Sequence, residues 1–282
     1  RRPPKNGGMA IPSYIPSGKQ RQPKEPPMTD TLEADSLDAV RDHYQVTGLT
    51  DRLKTALAVF GPEDQRLTPQ HLAALDQFHS RGLAATAELA NLAGITAGMS
   101  VVDIGAGIGG PARFLAARCD CKVTGIDLSP PFVEAARYLT KRTGLDAAVS
   151  FESGSALDLP FAENRFDVAM LQHVAMNIHD RSRLYGEIRR VLKQGGRFAT
   201  FDVVAQQGEP LFPAPWARSP AASFLLSADA TRAVSESCRY PHHTQVVDPA
   251  SPSALSRMRA SGSQGSSHGG TAPDGRLLVG MG

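Results

Sequence analysis

Cysteine is scarce in this sequence, and that scarcity excludes one class of protein. The 282 residues contain three cysteines, Cys119, Cys121 and Cys238, too few for the disulfide framework of a small secreted domain. The Cys-Asp-Cys step could contribute to a metal site, but four ligands with the usual spacings are not apparent, and we predict no metal. Free thiols agree with a reducing compartment, so we expect a cytoplasmic protein.

Long apolar runs and a basic face are also missing. Nowhere do about 18 apolar residues follow one another, the length that a membrane span requires, so we predict no membrane association. The net charge of +2 comes from residues 1–27, which carry +5 and leave −3 on the rest of the chain. Because the body of the protein has no excess of basic residues, we predict no nucleic-acid partner.

The residue composition of the sequence changes three times along the chain. Residues 1–27 are rich in Pro, Gly, Lys and Gln without a continuous apolar segment, which predicts a disordered basic leader rather than a secretory signal. We interpret Met28 as the natural start and the leader as a cloning remnant or a translated upstream region. Residues 28–95 predict an N-terminal helical cap, residues 96–236 a cofactor-binding domain, and residues 237–282 a low-complexity, disordered tail.

Strands and helices alternate from residue 100 onward, the pattern of a parallel sheet with helices on both faces. The predicted strands are Ser100–Ile104, Lys122–Ile126, Ala148–Glu152, Phe166–Leu171 and Arg197–Val204. Predicted helices cover Pro111–Arg118, Pro130–Thr143 (Ser129 as cap, Gly144 as stop), a segment capped by Asp180, and Ser227–Ser235. In the cap, a helix that begins after Thr68 is expected to continue to Phe78 and His79.

The tail interrupts this pattern before the sheet is complete. Only Gln245-Val-Val and Leu277-Leu-Val resemble strands there. We therefore expect the last strands to be missing or replaced by an irregular tail, which a shifted reading frame would explain. The fifth strand would then be an exposed edge.

A glycine-rich turn, Asp103-Ile-Gly105-Ala-Gly107-Ile-Gly109-Gly110, joins the first predicted strand to the next helix. Its glycines let the backbone approach a ligand closely, and the helix start offers free N–H groups. The turn also fits the dinucleotide pattern of nicotinamide enzymes. Asp127, at the end of the second strand, would suit ribose hydroxyls in either case. The carboxylate of Asp103 can accept from an ammonium group or water near the methionine part of a sulfonium cofactor.

Four motifs in register resemble the class I S-adenosylmethionine-dependent methyltransferases of the methyltransferase type 11 kind. They are DIGAGIGG from Asp103, VTGIDLS from Val123, LDLPFAENRFDVAMLQHVAMN from Leu157 and EIRRVLKQGGRFATFDVV from Glu187. The resemblance covers roughly residues 36–236 and is strongest to the small-molecule branch with sarcosine/dimethylglycine N-methyltransferases and sterol or ubiquinone C-methyltransferases. It implies a Rossmann-like, doubly wound α/β sheet under an N-terminal helical lid. It also implies methyl transfer by in-line displacement from S-adenosylmethionine to a small-molecule acceptor.

The family's binding roles carry over onto matching positions of this chain. The resemblance places Asp103, Gly105, Ala106 and Gly107 at the methionine end of the cofactor, Asp127 at the ribose, Leu128 against adenine, and Gln172 near the sulfonium. Ser155 stands where the family usually has an acid that accepts from the adenine amino group, and the N–H of Ala156 could bond beside it. A hydroxyl lacks charge assistance, so cofactor affinity is expected to fall by about 1 kcal/mol.

Three side chains are candidates for the chemistry. His173 follows the fourth strand and could be a general base or a substrate-orienting group, although it could also make only a structural hydrogen bond. Tyr44 and His79 could face the acceptor from the cap, the alternative for Tyr44 and Phe78 being helix core. Trp216 could shape the acceptor pocket or serve as a packing plug.

Two other functions remain open from the sequence. The glycine turn would also serve a nicotinamide-dependent oxidoreductase. The irregular tail raises the possibility of a truncated form that binds the cofactor without turnover. Neither the identity of the acceptor atom nor the oligomeric state follows from the residues.

Overall fold

The computed structural model describes residues 38–44, 46–205, 210–238, 242–247 and 275–281, and a seven-stranded sheet forms its centre. The strands are β1 (Ser100–Ile104), β2 (Lys122–Asp127), β3 (Val149–Ser153), β4 (Phe166–Gln172), β5 (Leu192–Val203), β6 (His242–Val247) and β7 (Gly275–Met281). The helices are α1 (residues 38–44), α2 (Leu49–Leu57), α3 (Pro69–Asp76), α4 (Gly82–Leu92), α5 (Gly110–Cys119), α6 (Pro130–Thr143), α7 (Arg181–Val191) and α8 (Ala228–Ser237). The predicted leader lies outside the described residues.

The strand order is β3-β2-β1-β4-β5-β7-β6, and the first five strands are parallel. Asp103 on β1 is in register with Gly125 on β2 and with Met170 on β4. The order of the strands reverses between β1 and β4, and in doubly wound sheets ligands bind at the carboxyl ends of the strands beside such a reversal. The predicted doubly wound, mostly parallel sheet is confirmed.

The expectation that the last strands are missing was wrong. β7 runs antiparallel to β5 and pairs with it from Arg197 to Val203, and β6 pairs with the other side of β7. These strands contain the two short apolar runs of the predicted tail. Pairing uses backbone N–H and C=O groups, so short runs are enough to extend a sheet. β5 is therefore not an exposed edge. Of the predicted tail, Ser237 and Cys238 end α8, and the residues other than these and the two strands lie outside the described residues.

Most predicted helix boundaries have the expected local cause. The Asp180 side chain accepts from the Arg183 N–H at 2.9 Å, and Gly144 ends α6 with φ of 62°. Ser129 is the N-cap residue of α6, as predicted, but its side chain makes no capping hydrogen bond. Its own N–H donates instead to the carboxylate of Asp127.

Helix α3 is shorter than the sequence predicts. It begins as expected after Thr68, whose side chain accepts from the His71 N–H, but it ends at Asp76 because Gln77 leaves the helical region. Phe78 and His79 therefore lie in the α3–α4 connection. Phe78 is 61% exposed, which excludes the helix-core interpretation for it.

Apolar side chains cover both faces of the sheet. One face packs on α4, α5 and α6 through residues such as Leu89, Leu115 and Val133, and the other packs on α7 through Leu184 and Ile188. These two layers hold the carboxyl ends of β1, β2 and β4 in place. Within the described part of the chain, no helix is long and apolar enough to cross a membrane.

Candidate cofactor-binding and active site

A cavity of about 860 Å³ opens at the carboxyl ends of the parallel strands, between the sheet and the cap helices. Its walls combine the glycine turn, the ends of β2 and β4, the α3–α4 connection and part of α1. All twelve candidate site residues line it: Tyr44, His79, Asp103, Gly105, Ala106, Gly107, Asp127, Leu128, Ser155, Ala156, Gln172 and His173. The structure brings these residues together, whereas the role of each remains a prediction.

The glycine turn follows β1 closely and leaves little room for side chains. The N–H groups of Gly105 and Ala106 both donate to the carbonyl of Ile126, at 2.8 and 3.0 Å. Gly105 has φ of 71°, a conformation that other residues rarely adopt, and a Cβ there would collide with Val174. The turn therefore presents backbone, rather than side chains, to the cavity.

Asp127 fixes the glycine turn to the end of β2. One of its carboxylate oxygens accepts from the Gly107 N–H at 2.8 Å, and the other accepts from the Ser129 N–H at 2.9 Å. Each oxygen keeps a second lone pair, because a carboxylate can accept about four hydrogen bonds. Burial raises the pKa of Asp127. Its remaining lone pairs are available to a pair of ligand hydroxyls.

Asp103 presents a buried carboxylate oxygen that lacks a partner among the described residues. The side chain is 2% exposed, and no hydrogen-bond donor reaches Oδ2. Burial, and secondarily the negative charge of Asp127, raise the pKa of Asp103 to about 7. An unpaired buried carboxylate is costly. A cationic or hydrogen-bonding ligand in the cavity would remove that cost.

Ser155 and its neighbours form the wall beyond β3. The Ser155 hydroxyl accepts from the Leu157 N–H at 3.1 Å, which leaves its hydrogen and one lone pair available. Leu128, at the end of β2, and Ala156 contribute apolar surface to the same cavity. This wall suits a flat ring with polar edge groups, as expected for adenine.

Two histidines line the cavity side by side. The rings of His79 and His173 have centroids 6.0 Å apart, and Phe201 contacts both. Burial lowers the pKa of each imidazole, that of His173 to about 3, so both are neutral near pH 7. His173 has φ of 54°, strained for a residue with a side chain. Strain of this kind is often found at functional positions.

Tyr44 joins α1 to the loop after β4. Its hydroxyl donates to Asn177 Oδ1 at 3.2 Å. The side-chain nitrogen of Asn177 donates to the carbonyls of Trp216 and Ala222, at 2.8 and 2.7 Å. Burial, together with the charges of Asp127 and Asp202, raises the pKa of Tyr44. Tyr44 is therefore a neutral hydrogen-bonding group on the cavity wall, not part of a helix core.

Trp216 is a packed residue that also lies on the cavity wall. It is 5% exposed, its indole N–H donates to Ser223 Oγ at 3.0 Å, and it packs with Met176 and Val203. It also lines the cavity. Packing thus holds an aromatic wall in position.

An ion pair ties the cap to the helix after the glycine turn. Arg113 and Asp76 are both fully buried, with Nη2 and Oδ2 2.8 Å apart. The same nitrogen donates to the carbonyl of Ile108 at 2.8 Å. Gly110 lies against the backbone carbonyl of Asp76, where a Cβ would collide. Arg113 is therefore a buried structural residue.

Sequence reasoning missed three polar residues of the site. Ser80 and Asn177 line the cavity, and Thr86 is buried behind it with its hydroxyl 3.1 Å from His79 Nε2. One signal was available: Thr86 stands in α4 between the buried residues Ala85 and Leu89, where an apolar residue is usual. Ser80 and Asn177 lie in connections without a periodic pattern.

The cysteines are free, as the sequence indicates. Cys121 is buried, and Cys119 and Cys238 are partly exposed. Burial raises the pKa of the Cys121 thiol to about 11. No group of three or more His, Cys, Asp or Glu side chains suited to a metal ion occurs within the described ranges.

Comparison with known proteins identifies the domain around the glycine turn. Residues 102–200 match the family model described as a methyltransferase domain. The chain is 33% identical over 132 residues to the methyltransferase GfsG of Streptomyces halstedii, covering 47% of this chain and 48% of that protein. It is 35% identical over 116 residues to the sterol 24-C-methyltransferase of Kluyveromyces lactis, covering 41% and 31%. The chain thus spans about half or less of the length of these relatives.

Solved structures share the fold. Phosphoethanolamine N-methyltransferase 2 of Haemonchus contortus, in complex with S-adenosyl-L-methionine, aligns with a TM-score of 0.62 at 18% identity over 86% of this chain and 60% of that one. The geranyl diphosphate C-methyltransferase of Streptomyces coelicolor A3(2), in complex with Mg²⁺, geranyl diphosphate and S-adenosyl-L-homocysteine, aligns with a TM-score of 0.55 at 21% identity over 70% and 78%.

These matches confirm the resemblance on which the sequence interpretation depended. The sequence relatives carry methyltransferase names, and none of the matches described supports the nicotinamide alternative. The glycine turn, Asp103 and Asp127 all lie within the matched residues. Residues 102–200 of this chain therefore match the methyltransferase domain family, and the sheet has the fold of solved S-adenosylmethionine-binding methyltransferases.

Proposed function

We propose that this chain transfers a methyl group from S-adenosylmethionine to a small-molecule acceptor. One observation carries the proposal: a carboxylate oxygen of Asp103 without a partner among the described residues lies beside the glycine turn that Asp127 holds, and both carboxylates line the same cavity. These two carboxylates would accept hydrogen bonds from an ammonium group and from two ribose hydroxyls of a ligand. The names of the sequence relatives support the same chemistry.

The cofactor would lie along the strand ends. We assign its ammonium group to Asp103, its ribose to Asp127 and its adenine ring to the wall of Leu128, Ser155 and Ala156. When bound, S-adenosylmethionine would supply a methyl group for in-line transfer to the acceptor's nucleophile, with its positively charged sulfur as the leaving group. The glycine turn at Gly105, Ala106 and Gly107 would let the cofactor approach the backbone closely.

Of the two roles considered for His173, we assign it the orientation of the acceptor. Burial lowers its pKa to about 3, so the neutral imidazole can hydrogen-bond an acceptor but is a weak general base. Tyr44 would orient the acceptor through the free lone pairs of its hydroxyl oxygen, whereas both ring nitrogens of His79 face protein partners, so His79 would contribute to the wall of the acceptor site. Enclosure by the cap would exclude water, so positioning and desolvation would supply most of the catalysis.

The walls beyond the cofactor residues indicate the kind of acceptor. They are mainly apolar and aromatic, and include Val40, Met176, Phe201, Val203 and Trp216. Such walls favour an acceptor with a largely apolar body. Relatives named for sterol and geranyl diphosphate methylation support this class without identifying the molecule.

Isothermal calorimetry with S-adenosylhomocysteine and with NADH tests the cofactor. We expect binding of the first and none of the second, with Asp103→Ala abolishing the heat and Asp158→Asn, an exposed acid near the same wall, leaving it unchanged. Binding of NADH alone would overturn the proposal. Release of S-adenosylhomocysteine in a screen of apolar alcohols, amines and alkenes then tests turnover, and its failure with every acceptor would favour the cofactor-binding form without turnover.

We also propose a cytoplasmic location with no nucleic-acid partner. The free cysteines and the lack of basic excess outside residues 1–27 support it. Cell fractionation and a gel-shift assay at low salt test the two statements. Recovery in a secreted fraction, or binding to duplex DNA by residues 28–282, would contradict them.

A further inference from the structure

A row of buried polar side chains joins the cap to the end of β4. The Thr86 hydroxyl on α4 lies 3.1 Å from His79 Nε2 and 3.2 Å from Gln172 Oε1. His79 Nδ1 lies 3.2 Å from the carbonyl oxygen of Ser80. The Ser80 hydroxyl in turn lies 3.3 Å from His173 Nε2. These contacts link Gln172 to His173 through Thr86, His79 and the two polar groups of Ser80.

The available hydrogen-bond donors fix where the hydrogen atoms lie along this row. A carbonyl oxygen only accepts, so His79 Nδ1 must carry the hydrogen that it donates to Ser80. Burial lowers the pKa of His79, which keeps the ring neutral and makes its Nε2 an acceptor. The Thr86 hydroxyl faces that nitrogen and donates to it. Because a hydroxyl has a single hydrogen, Thr86 cannot also donate to Gln172.

Gln172 must then present a donor to Thr86. The two ends of an amide are distinguished only by their hydrogen-bond partners. With its oxygen toward Thr86, Gln172 has a buried nitrogen without a partner among the described residues. A half-turn of the amide points the nitrogen at the Thr86 oxygen and places the carbonyl oxygen toward the cavity. Gln77, 3.4 Å from the same hydroxyl, cannot turn likewise because its nitrogen donates to Asp76.

We propose that Thr86 is a positioning residue, which fixes the Gln172 amide with its carbonyl oxygen toward the cavity and holds His79 in the Nδ1–H form. The ligand group that meets Gln172 is then a hydrogen-bond donor. Asp103 lies on the neighbouring strand, two pairs back in the register, and has a second buried acceptor oxygen without a partner in the described residues. Two acceptors select an ammonium group, and this last step rests on the proposed function.

Nitrogen NMR of the histidine rings tests the hydrogen assignment without any ligand. In protein labelled with ¹⁵N-histidine, we expect His79 as the Nδ1–H tautomer, its signals identified by their loss in His79→Asn. Thr86→Val keeps the shape and removes the hydroxyl, so the His79 signals should shift, and Thr86→Ser should restore them. An Nε2–H tautomer in the wild type, or unchanged signals in Thr86→Val, would overturn the proposal. If Thr86→Val does not fold, the wild-type tautomer decides.

Ligand binding tests the orientation of Gln172. We expect Thr86→Val to weaken S-adenosylhomocysteine binding by about 5- to 10-fold, the loss of one oriented acceptor. Adenosine, which lacks the ammonium group, should bind both proteins equally. Equal weakening of both ligands would mean general damage and would overturn the assignment. A wild type that binds neither ligand would refute the proposed function, while the NMR result would still decide the role of Thr86.

Discussion

The two walls of the cavity are built in different ways. On the glycine-turn wall, backbone N–H groups hold the carboxylate of Asp127. On the cap wall, side chains hold one another, as in the contact of Ser80 with His173 and of Tyr44 with Asn177. A wall held by backbone tolerates few substitutions but keeps one geometry. A wall held by side chains can be altered one residue at a time, which suits the part of the site that would select the acceptor.

The largest expected effect comes from breaking the ion pair that joins the two walls. Arg113→Met should lower the free energy of unfolding by about 3–5 kcal/mol, because it leaves the Asp76 carboxylate buried without its partner. Chemical denaturation measures this. The double variant Asp76→Asn with Arg113→Met should recover part of the loss, since no charge is then left unpaired. A loss below about 1 kcal/mol would show that the walls are not joined by this pair.

A substitution on the glycine-turn wall should weaken ligand binding without lowering the stability of the fold. Asp103→Asn keeps the shape of the side chain and removes its charge, so S-adenosylhomocysteine should bind about 10- to 100-fold more weakly. The melting temperature should stay equal or rise, because the unliganded protein no longer buries an unpaired carboxylate. Calorimetry and a thermal melt give the two values. Equal weakening of binding and stability would mean that Asp103 is structural.

The same carboxylate should make the unliganded protein less stable as the pH rises. The pKa of Asp103 is raised to about 7 in the folded state, above the value near 4 of an unfolded aspartate. The folded state therefore holds more protons between these values, and stability falls with rising pH there. We expect a loss of about 2 kcal/mol from pH 5 to pH 7. Asp202, with its pKa raised to about 6, acts in the same direction.

Denaturation at the two pH values measures this loss. Asp103→Asn is the matched variant and should show a distinctly smaller dependence on pH. The affinity for S-adenosylhomocysteine should rise over the same range, because the ionised carboxylate is the form that pairs with an ammonium group. Affinity that is independent of pH would contradict the contact.

A single change on the cap wall should affect turnover alone. Tyr44→Phe removes the hydroxyl that donates to Asn177, a bond worth about 1 kcal/mol. Once an acceptor is known, we expect methyl transfer to slow by about 3- to 10-fold with unchanged S-adenosylhomocysteine binding. Initial rates and calorimetry separate these effects. Unchanged turnover would remove Tyr44 from the acceptor site.

The smallest expected effect is a gain in affinity for S-adenosylhomocysteine. Ser155→Asp restores the acid expected beside the adenine amino group and should tighten S-adenosylhomocysteine binding by about fivefold. The Leu157 N–H that now donates to Ser155 can donate equally to the new carboxylate. Asp158→Asn serves as the control in the same calorimetric titration. Weaker binding in Ser155→Asp would place adenine elsewhere.

The sequence predicted the elements that have strong local causes. β1 and α6 begin and end at the predicted residues, because one is a short buried apolar run and the other lies between Ser129 and a terminal Gly144. Asp103 and Asp127 could be placed because the motif fixes their distance from the glycine turn. The residues of this wall follow from a pattern along the chain.

The missed features depend on contacts between distant parts of the chain. The row from Gln172 to His173 needs α4 and the end of β4 to meet, and no spacing along the chain indicates that meeting. The apolar run of β7 resembles a strand in the sequence, but its pairing with β5 could not be foreseen, because strand pairing depends on backbone groups that every residue carries. Phe78 was misplaced because helix α3 ends at Asp76, where neither Gly nor Pro marks the end.

The ion pair between Asp76 and Arg113 makes α3 the part of the cap that is harder to displace. Lifting α3 from α5 would leave two buried charges unpaired, at a cost of about 3–5 kcal/mol. By contrast, the described contacts of α1 with the domain include two side-chain hydrogen bonds, Tyr44 to Asn177 and His43 to the carbonyl of Pro215, each worth about 1 kcal/mol. We therefore expect a ligand that enters the cavity to displace α1 rather than α3.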